Sequence, residues 1–206
     1  MKIMKKAIRF LLPFVFLFEC LSACNNIGDP VRYMAKLKEN KQLNKTVNIG
    51  KIAYTFHMMT PEGMALRAAL GQNNEIDSKL YNERLKDLKG YVFVNIDMEL
   101  SDHSGPVLRY GLQDKAAYDQ RVMYFEFYAK NDLKLEGNGR SVAPESYEYE
   151  NRQGLSPYNT MVIAFPVIEN ADQIQVTFND RAFSNLFVKA GFKESDIKNL
   201  PRLTLN

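Results

Sequence analysis

Apolar side chains at every second position, in one segment after another between Val47 and Phe178, confine this 206-residue chain to a fold of half-buried strands. In a pleated strand neighbouring side chains point to opposite faces, so strict alternation marks one face for the core and one for the outside. From Tyr91 to Leu100 the apolar set is Val92, Val94, Ile96, Met98 and Leu100, against Asn95, Asp97 and Glu99. Ile52, Tyr54, Phe56 and Met58 repeat the pattern and leave His57 on the outward face. Met123, Phe125, Phe127 and Ala129 oppose Tyr124, Glu126 and Tyr128. Met161, Ile163, Phe165 and Val167 form a further set, and Ile174, Val176 and Phe178 another. Turn-forming runs separate them: Ser104-Gly105-Pro106, Gly137-Asn138-Gly139, Ser156-Pro157 and Glu169-Asn170-Ala171-Asp172. Short strands at these intervals predict a mostly β, antiparallel sandwich rather than a parallel sheet.

Two stretches depart from that rhythm. Leu80, Arg84, Leu85 and Leu88 have helical spacing within 77–89, and Gly90 can end the helix. Ala182, Phe183, Leu186, Phe187 and Ala190 recur at i, i+1, i+4, i+5 and i+8, which predicts a short C-terminal helix near 181–190 with Gly191 as its stop. The sandwich domain is therefore expected over 46–206, with a helical insertion near 77–89.

The N-terminus is an address. Lys2, Lys5, Lys6 and Arg9 precede an apolar run from Phe10 to Phe18, and small residues follow, the layout of a secretory signal over residues 1–23. A membrane-spanning helix needs about 20 apolar residues, whereas this run is short and carries Pro13 and Glu19. Leu21-Ser22-Ala23-Cys24 resembles the lipobox of bacterial lipoproteins. The resemblance implies cleavage between Ala23 and Cys24 and diacylglycerol on the Cys24 thiol; a free Cys at the edge of a signal peptide is the alternative. Two or more chains at about 0.8 kcal/mol per buried methylene hold a protein firmly on a bilayer. Asn25 at the second mature position resembles the pattern that lets lipoproteins leave the inner membrane, which implies the periplasmic side of the outer membrane. Cys20 falls in the removed part, so no disulfide is expected.

Removing the signal also changes the charge. The chain has 27 basic and 24 acidic residues, and residues 1–23 carry four of the former and one of the latter. The remainder is balanced at 23 of each, and a balanced surface offers no long-range attraction to nucleic acid. Residues 24–45 are polar and basic and read as a tether. A short helix opened by Asp29-Pro30 is the alternative, with Val31, Met34 and Leu37 on one side. Such a helix could lie on anionic head groups.

A second resemblance rests on the strands. Val47-Asn48-Ile49-Gly50-Lys51-Ile52-Ala53-Tyr54 resembles the opening strand of telokin-like immunoglobulin-fold domains of bacterial lipoproteins. Tyr91 to Met98 resembles their next long strand, the stretch 131–140 their hairpin, and Leu155-Ser156-Pro157 with Met161 to Val167 the turn and strand after it. The similarity spans roughly 47–178 and departs at the helical segments. It implies an immunoglobulin-like binding module and transfers no catalytic residue.

Little in the sequence points to reaction chemistry. Asp102-His103-Ser104 holds the residue types of a hydrolase triad, but adjacent residues cannot form the nucleophile–base–orienter chain, and beside Gly105-Pro106 they read as a turn. No zinc or calcium motif is present and no cofactor is expected. Tyr147, Tyr149 and Tyr158, near Arg152, form a candidate partner-binding face, since tyrosine is a frequent contact residue; tyrosines capping one sandwich face are the alternative. The expected function is a lipid-anchored, non-catalytic module that binds another envelope protein. A carbohydrate- or small-ligand-binding lipoprotein is the second reading, and a carboxylate hydrolase using Asp97 and Glu126 the third.

Overall fold

The computed structural model describes residues 26–71, 75–151, 156, 158–198, 200 and 202–203. Ala23, Cys24 and Arg152, three of the residues singled out above, lie outside the described residues.

The chain opens with a two-residue strand, β1 (Asn26–Ile27), and helix α1 (Pro30–Glu39). Strands β2 (Asn44–Ile49) and β3 (Ile52–Met59) make a hairpin, and helices α2 (Pro61–Ala69) and α3 (Ser78–Asp87) lead into β4 (Tyr91–Leu100). Helix α4 (Lys115–Met123) runs through a π turn (Tyr124–Tyr128) and a 3-10 turn (Ala129–Asp132) into the hairpin β5 (Leu133–Gly137) and β6 (Arg140–Val142). Strands β7 (Ser146–Glu150), β8 (Asn159–Pro166), β9 (Gln173–Asp180) and β10 (Leu186–Lys193) follow, then α5 (Glu194–Lys198) and β11 (Arg202–Leu203).

Two antiparallel sheets, in the orders β2-β3-β4-β8-β7 and β10-β9-β5-β6, pack face to face as an immunoglobulin-like β-sandwich. The inward residues are those the alternation marks, except Val167, which lies past the end of β8 and is exposed. Tyr54, Phe56, Val94, Ile96, Met98, Met161, Ile163 and Phe165 from one sheet meet Leu133, Leu135, Val176 and Phe178 from the other, all buried. Tyr54 and Phe178 meet across the gap with ring centres 6.1 Å apart. At about 1.5–3 kcal/mol for each fully buried large apolar side chain, these faces are the main favourable contribution to folding. The β5–β6 turn is the expected one: Asn138 and Gly139 both take positive φ, the conformation a two-residue hairpin demands.

Three expectations are overturned. The segment 123–129 is helical, not a strand. Phe125 is fully buried whereas Phe127 is 65% exposed, so the burial period is not 2. Tyr118, Val122, Phe125 and Ala129 instead form one helical stripe that packs on the core, and Asp114 caps α4 by accepting from the Ala117 amide. The continuing helix carries the pattern past Met123.

The predicted helix near 181–190 is a strand. Asp180, wholly buried, accepts from the amides of Ala182, Phe183 and Ser184 and from the Ser184 hydroxyl, which winds 181–184 into a turn. Asn185 at positive φ then sends the chain back along β9, and all eight residues of β10 pair with it. Val188, Ala190 and Phe192 face inward, while Leu186 and Phe187, assigned to the buried side of a helix, are 54% and 59% exposed. Gly191 lies inside the strand.

From Asn26 onward, the expected tether over 24–45 is part of the folded body. Asp29 caps α1 through Val31 and Arg32 and Pro30 takes its first position, as the alternative reading has it. The helix packs through Tyr33 and Leu37, both buried, rather than through Val31. Tyr33 shares a 2.8 Å hydrogen bond with Thr60, the N-cap of α2. α2 comes so close to α1 that a Cβ on Gly63 would stand 3.1 Å from Leu37 Cδ1. β1 pairs in parallel with β11, so the chain is already tied to the body at Asn26.

Candidate functional site

The outward face of the five-stranded sheet is where polar chemistry collects. Register places Asn44, His57, Asn95 and Val162 side by side across β2, β3, β4 and β8, and Thr46, Thr55, Asp97 and Thr160 in the next row. Alternation marks these positions as outward, yet they do not simply face water. α2 packs on β4, α1 packs on α2, and Thr60 and Thr160 are buried polar residues. Between α1, α2 and the two rows lies a cavity of about 360 Å³, lined by Met34, Leu37, Lys38, Asn44, His57, Met59, Arg67, Asn95 and Asp97 among others.

Asn44 and Asp97 hold the His57 ring from both sides. The Asn44 amide nitrogen donates to the carbonyls of Leu37, Lys38 and Asn40 at 3.2, 3.0 and 2.7 Å, at the C-terminal end of α1 where the helix's own hydrogen bonds run out. That fixes the amide, so its oxygen is what meets His57 Nδ1, and Nδ1 carries a hydrogen. His57 Nε2 is 3.1 Å from one Asp97 oxygen, and the other accepts from the Thr160 hydroxyl at 2.6 Å. The ring is thus held from both edges, by Asn44 and by Asp97. Next to it the Asn95 side-chain oxygen is buried with no donor. At the layer's inner edge, burial pushes the Tyr33 hydroxyl up to about 12, opposed by its bond to Thr60.

A second cavity of about 360 Å³ opens on the same face between α2, α3 and the β4–β8–β7 edge. Tyr91, Phe93 and Val162 are among its lining residues, with Asp87, Glu145 and Glu148. The Tyr91 hydroxyl donates to Glu145 at 2.9 Å.

The tyrosine segment is not an exposed face. Tyr147 and Tyr149 are partly buried and pack against the core. The Tyr147 hydroxyl donates to the Phe125 carbonyl, and the Tyr149 ring stacks on the Phe125 ring. Burial raises both hydroxyl pKa values. Tyr158 is half-buried at the start of β8. Alternate tyrosines on an edge strand therefore serve the sandwich interior.

Nor does the structure pair Asp97 with Glu126. Asp97 is on the outer face of β4 and already engaged by His57 and Thr160, while Glu126 is exposed on the π turn that follows α4. Asp102-His103-Ser104 forms the turn after β4. His103 bonds Glu99 at 3.1 Å, Lys51 pairs with Asp102, and the Ser104 amide donates to Asp102. His57 is outward on its strand as expected, but covered and hydrogen-bonded.

Two helices, α2 over this face and α4 in the connection between the sheets, escape the alternation argument, although each carries a sequence signal. Thr60-Pro61 is an N-cap followed by proline at the first helical position, and Thr60 accepts from the Gly63 amide at 2.9 Å. Asp114 is the N-cap of α4, with Lys115 rather than proline after it.

No family model and no curated protein matches the chain. Two solved structures are similar to it at low overall superposition. One is a DUF4426 family protein from Pseudomonas aeruginosa PAO1, with 10% identity and a TM-score of 0.36, covering 75% of this chain and 95% of that one. The other is a protein of unknown function from Burkholderia pseudomallei K96243, with 10% identity and a TM-score of 0.38, covering 82% and 88%.

Proposed function

We propose that this chain is a lipid-anchored lipoprotein of the cell envelope that acts as a non-catalytic binding module, held on the periplasmic side of the outer membrane. The observation that carries the reading is the Leu21-Ser22-Ala23-Cys24 run behind a basic and apolar leader. The fold supports it in one respect: β1 begins at Asn26 and is tied to β11, so acyl chains on Cys24 would hold the sandwich directly against the head groups without a long tether. Arg32, Lys36 and Lys38, exposed on the first helix, would then lie near an anionic surface.

A protein partner would find exposed apolar side chains at Leu186 and Phe187, which open the edge strand β10. Tyr147 and Tyr149, engaged inside the sandwich, offer such a partner less. The small-ligand reading gains from the cavity beside His57, whose size falls in the range of ligand pockets, roughly 300–1,000 Å³.

The test is Cys24→Ser in cells. The trimmed polypeptide should disappear from the membrane pellet and only uncut precursor should accumulate. A correctly trimmed chain that still sediments with membranes refutes the anchor.

A further inference from the structure

We propose that the cavity beside His57 binds a small amphiphilic carboxylic acid with an N–H donor next to its head group, of which an N-acyl amino acid is the simplest example. The inference deepens the small-ligand reading above and is independent of the lipid anchor.

Charge selects an anion. Lys38 on α1 and Arg67 on α2 line the cavity from opposite helices, and neither side chain makes an ion pair or hydrogen bond among the described residues. The cavity's one lining carboxylate, Asp97, is taken up by His57 and Thr160. A cationic occupant would meet two uncompensated cations and no free acid. A carboxylate can form a two-pronged pair with the Arg67 guanidinium.

The floor requires a donor. Asn95 is opposite His57 in the β3–β4 register, and its side-chain oxygen is buried without a partner. An unmet buried acceptor is destabilising, and because Asn95 lines the cavity, a turn of its side chain brings that oxygen to an amide N–H of the occupant. His57 cannot supply the donor, because both its ring nitrogens face other acceptors.

The remaining wall takes an apolar chain. Met34, Leu37, Met58 and Met59 line it, and methionine adapts to flexible aliphatic shapes better than branched side chains do. A neutral sugar would gain from neither the cations nor the thioethers.

The experiment is calorimetric titration of the purified full chain with N-hexanoylglycine, whose chain is too short to partition into detergent micelles. Comparators are its methyl ester, hexanoate and hexylamine. N-hexanoylglycine should bind about tenfold more tightly than the ester, with hexylamine silent. Arg67→Glu, at an exposed helix position, should weaken it about tenfold with the circular dichroism spectrum unchanged. Asn95→Leu should remove most of the preference for N-hexanoylglycine over hexanoate. No binding by N-hexanoylglycine, equal binding of the ester, or indifference to Arg67→Glu overturns the site. Membrane sedimentation of the wild-type and Cys24→Ser chains is read separately, so a failed ligand site and a failed anchor give different results.

Discussion

Phe125 and Tyr149 stack with ring centres 5.3 Å apart and planes within 21° of parallel. One ring comes from the helical connection that crosses between the sheets, the other from the edge strand β7. The same phenyl ring also meets Tyr124, Phe178 and Phe183. It is an aromatic plug at the end of the sandwich where β7, β9 and the π turn converge.

That position separates two residues which simple alternation treats as equivalent. Phe125→Ala should destabilise the fold by about 3–5 kcal/mol, through lost burial and the cavity left behind. Phe127→Ala should change stability by less than about 0.5 kcal/mol, because its ring is in water. Urea denaturation of both variants checks this. Equal effects would mean that 123–129 is a strand after all.

The two edge-strand tyrosines should respond oppositely to loss of their hydroxyls. The Tyr147 hydroxyl donates to the Phe125 carbonyl, so Tyr147→Phe leaves a carbonyl unmet and should cost about 1 kcal/mol. The Tyr149 hydroxyl is buried with no partner, so Tyr149→Phe should be neutral or mildly stabilising. Thermal melts of the two variants give the order directly. A destabilised Tyr149→Phe would expose a hydrogen bond this geometry lacks.

The strands that carry most of the sandwich core were legible because their alternation coincides with burial on one face: β3, β4, β8 and β9 hold the residues the pattern names, except Val167, which lies past β8 and is 47% exposed. The helices were less so. Tyr33 and Leu37 are a two-residue stripe in a segment otherwise polar and basic, and averaged composition hides a stripe that narrow. At 181–190 the apolar spacing fits a helix, and only the Asp180 turn and the open edge of β9 decide for a strand. The cavity was not legible. Asn95 and Asp97 read as solvated because alternation tells which side of a sheet a residue takes, not what a helix lays over that side.

Alkaline unfolding should be coupled to tyrosine ionisation. Burial raises the hydroxyl pKa values of Tyr54, Tyr124, Tyr147 and Tyr149, and lifts that of Tyr33 from 10.0 to about 12. A raised value means that the stabilisation is complete below the unfolded pKa near 10 and is lost as pH climbs through the folded one near 12. For Tyr33 alone that amounts to about 3 kcal/mol. Tyrosinate absorbance and circular dichroism, followed together from neutral pH upward, should show these groups ionising with the loss of structure. Ionisation of all of them near pH 10 in an intact fold would contradict their burial.

Asn44 offers the sharpest test of the layer over the outer sheet face, because one side chain ends α1 and orients His57. Asn44→Ala removes the donor to three helix-terminal carbonyls and the acceptor for Nδ1, and should cost about 1–2 kcal/mol. Asn44→Asp keeps an acceptor toward His57 but turns a carboxylate oxygen toward the same carbonyls, at the negative end of the helix dipole. If the cap is the larger contribution, the Asp variant is the less stable of the two at neutral pH, and urea midpoints will rank them so. The reverse order would make the His57 bond dominant, and α1 would then be held by Tyr33 and Leu37 with little help from its C-terminal cap.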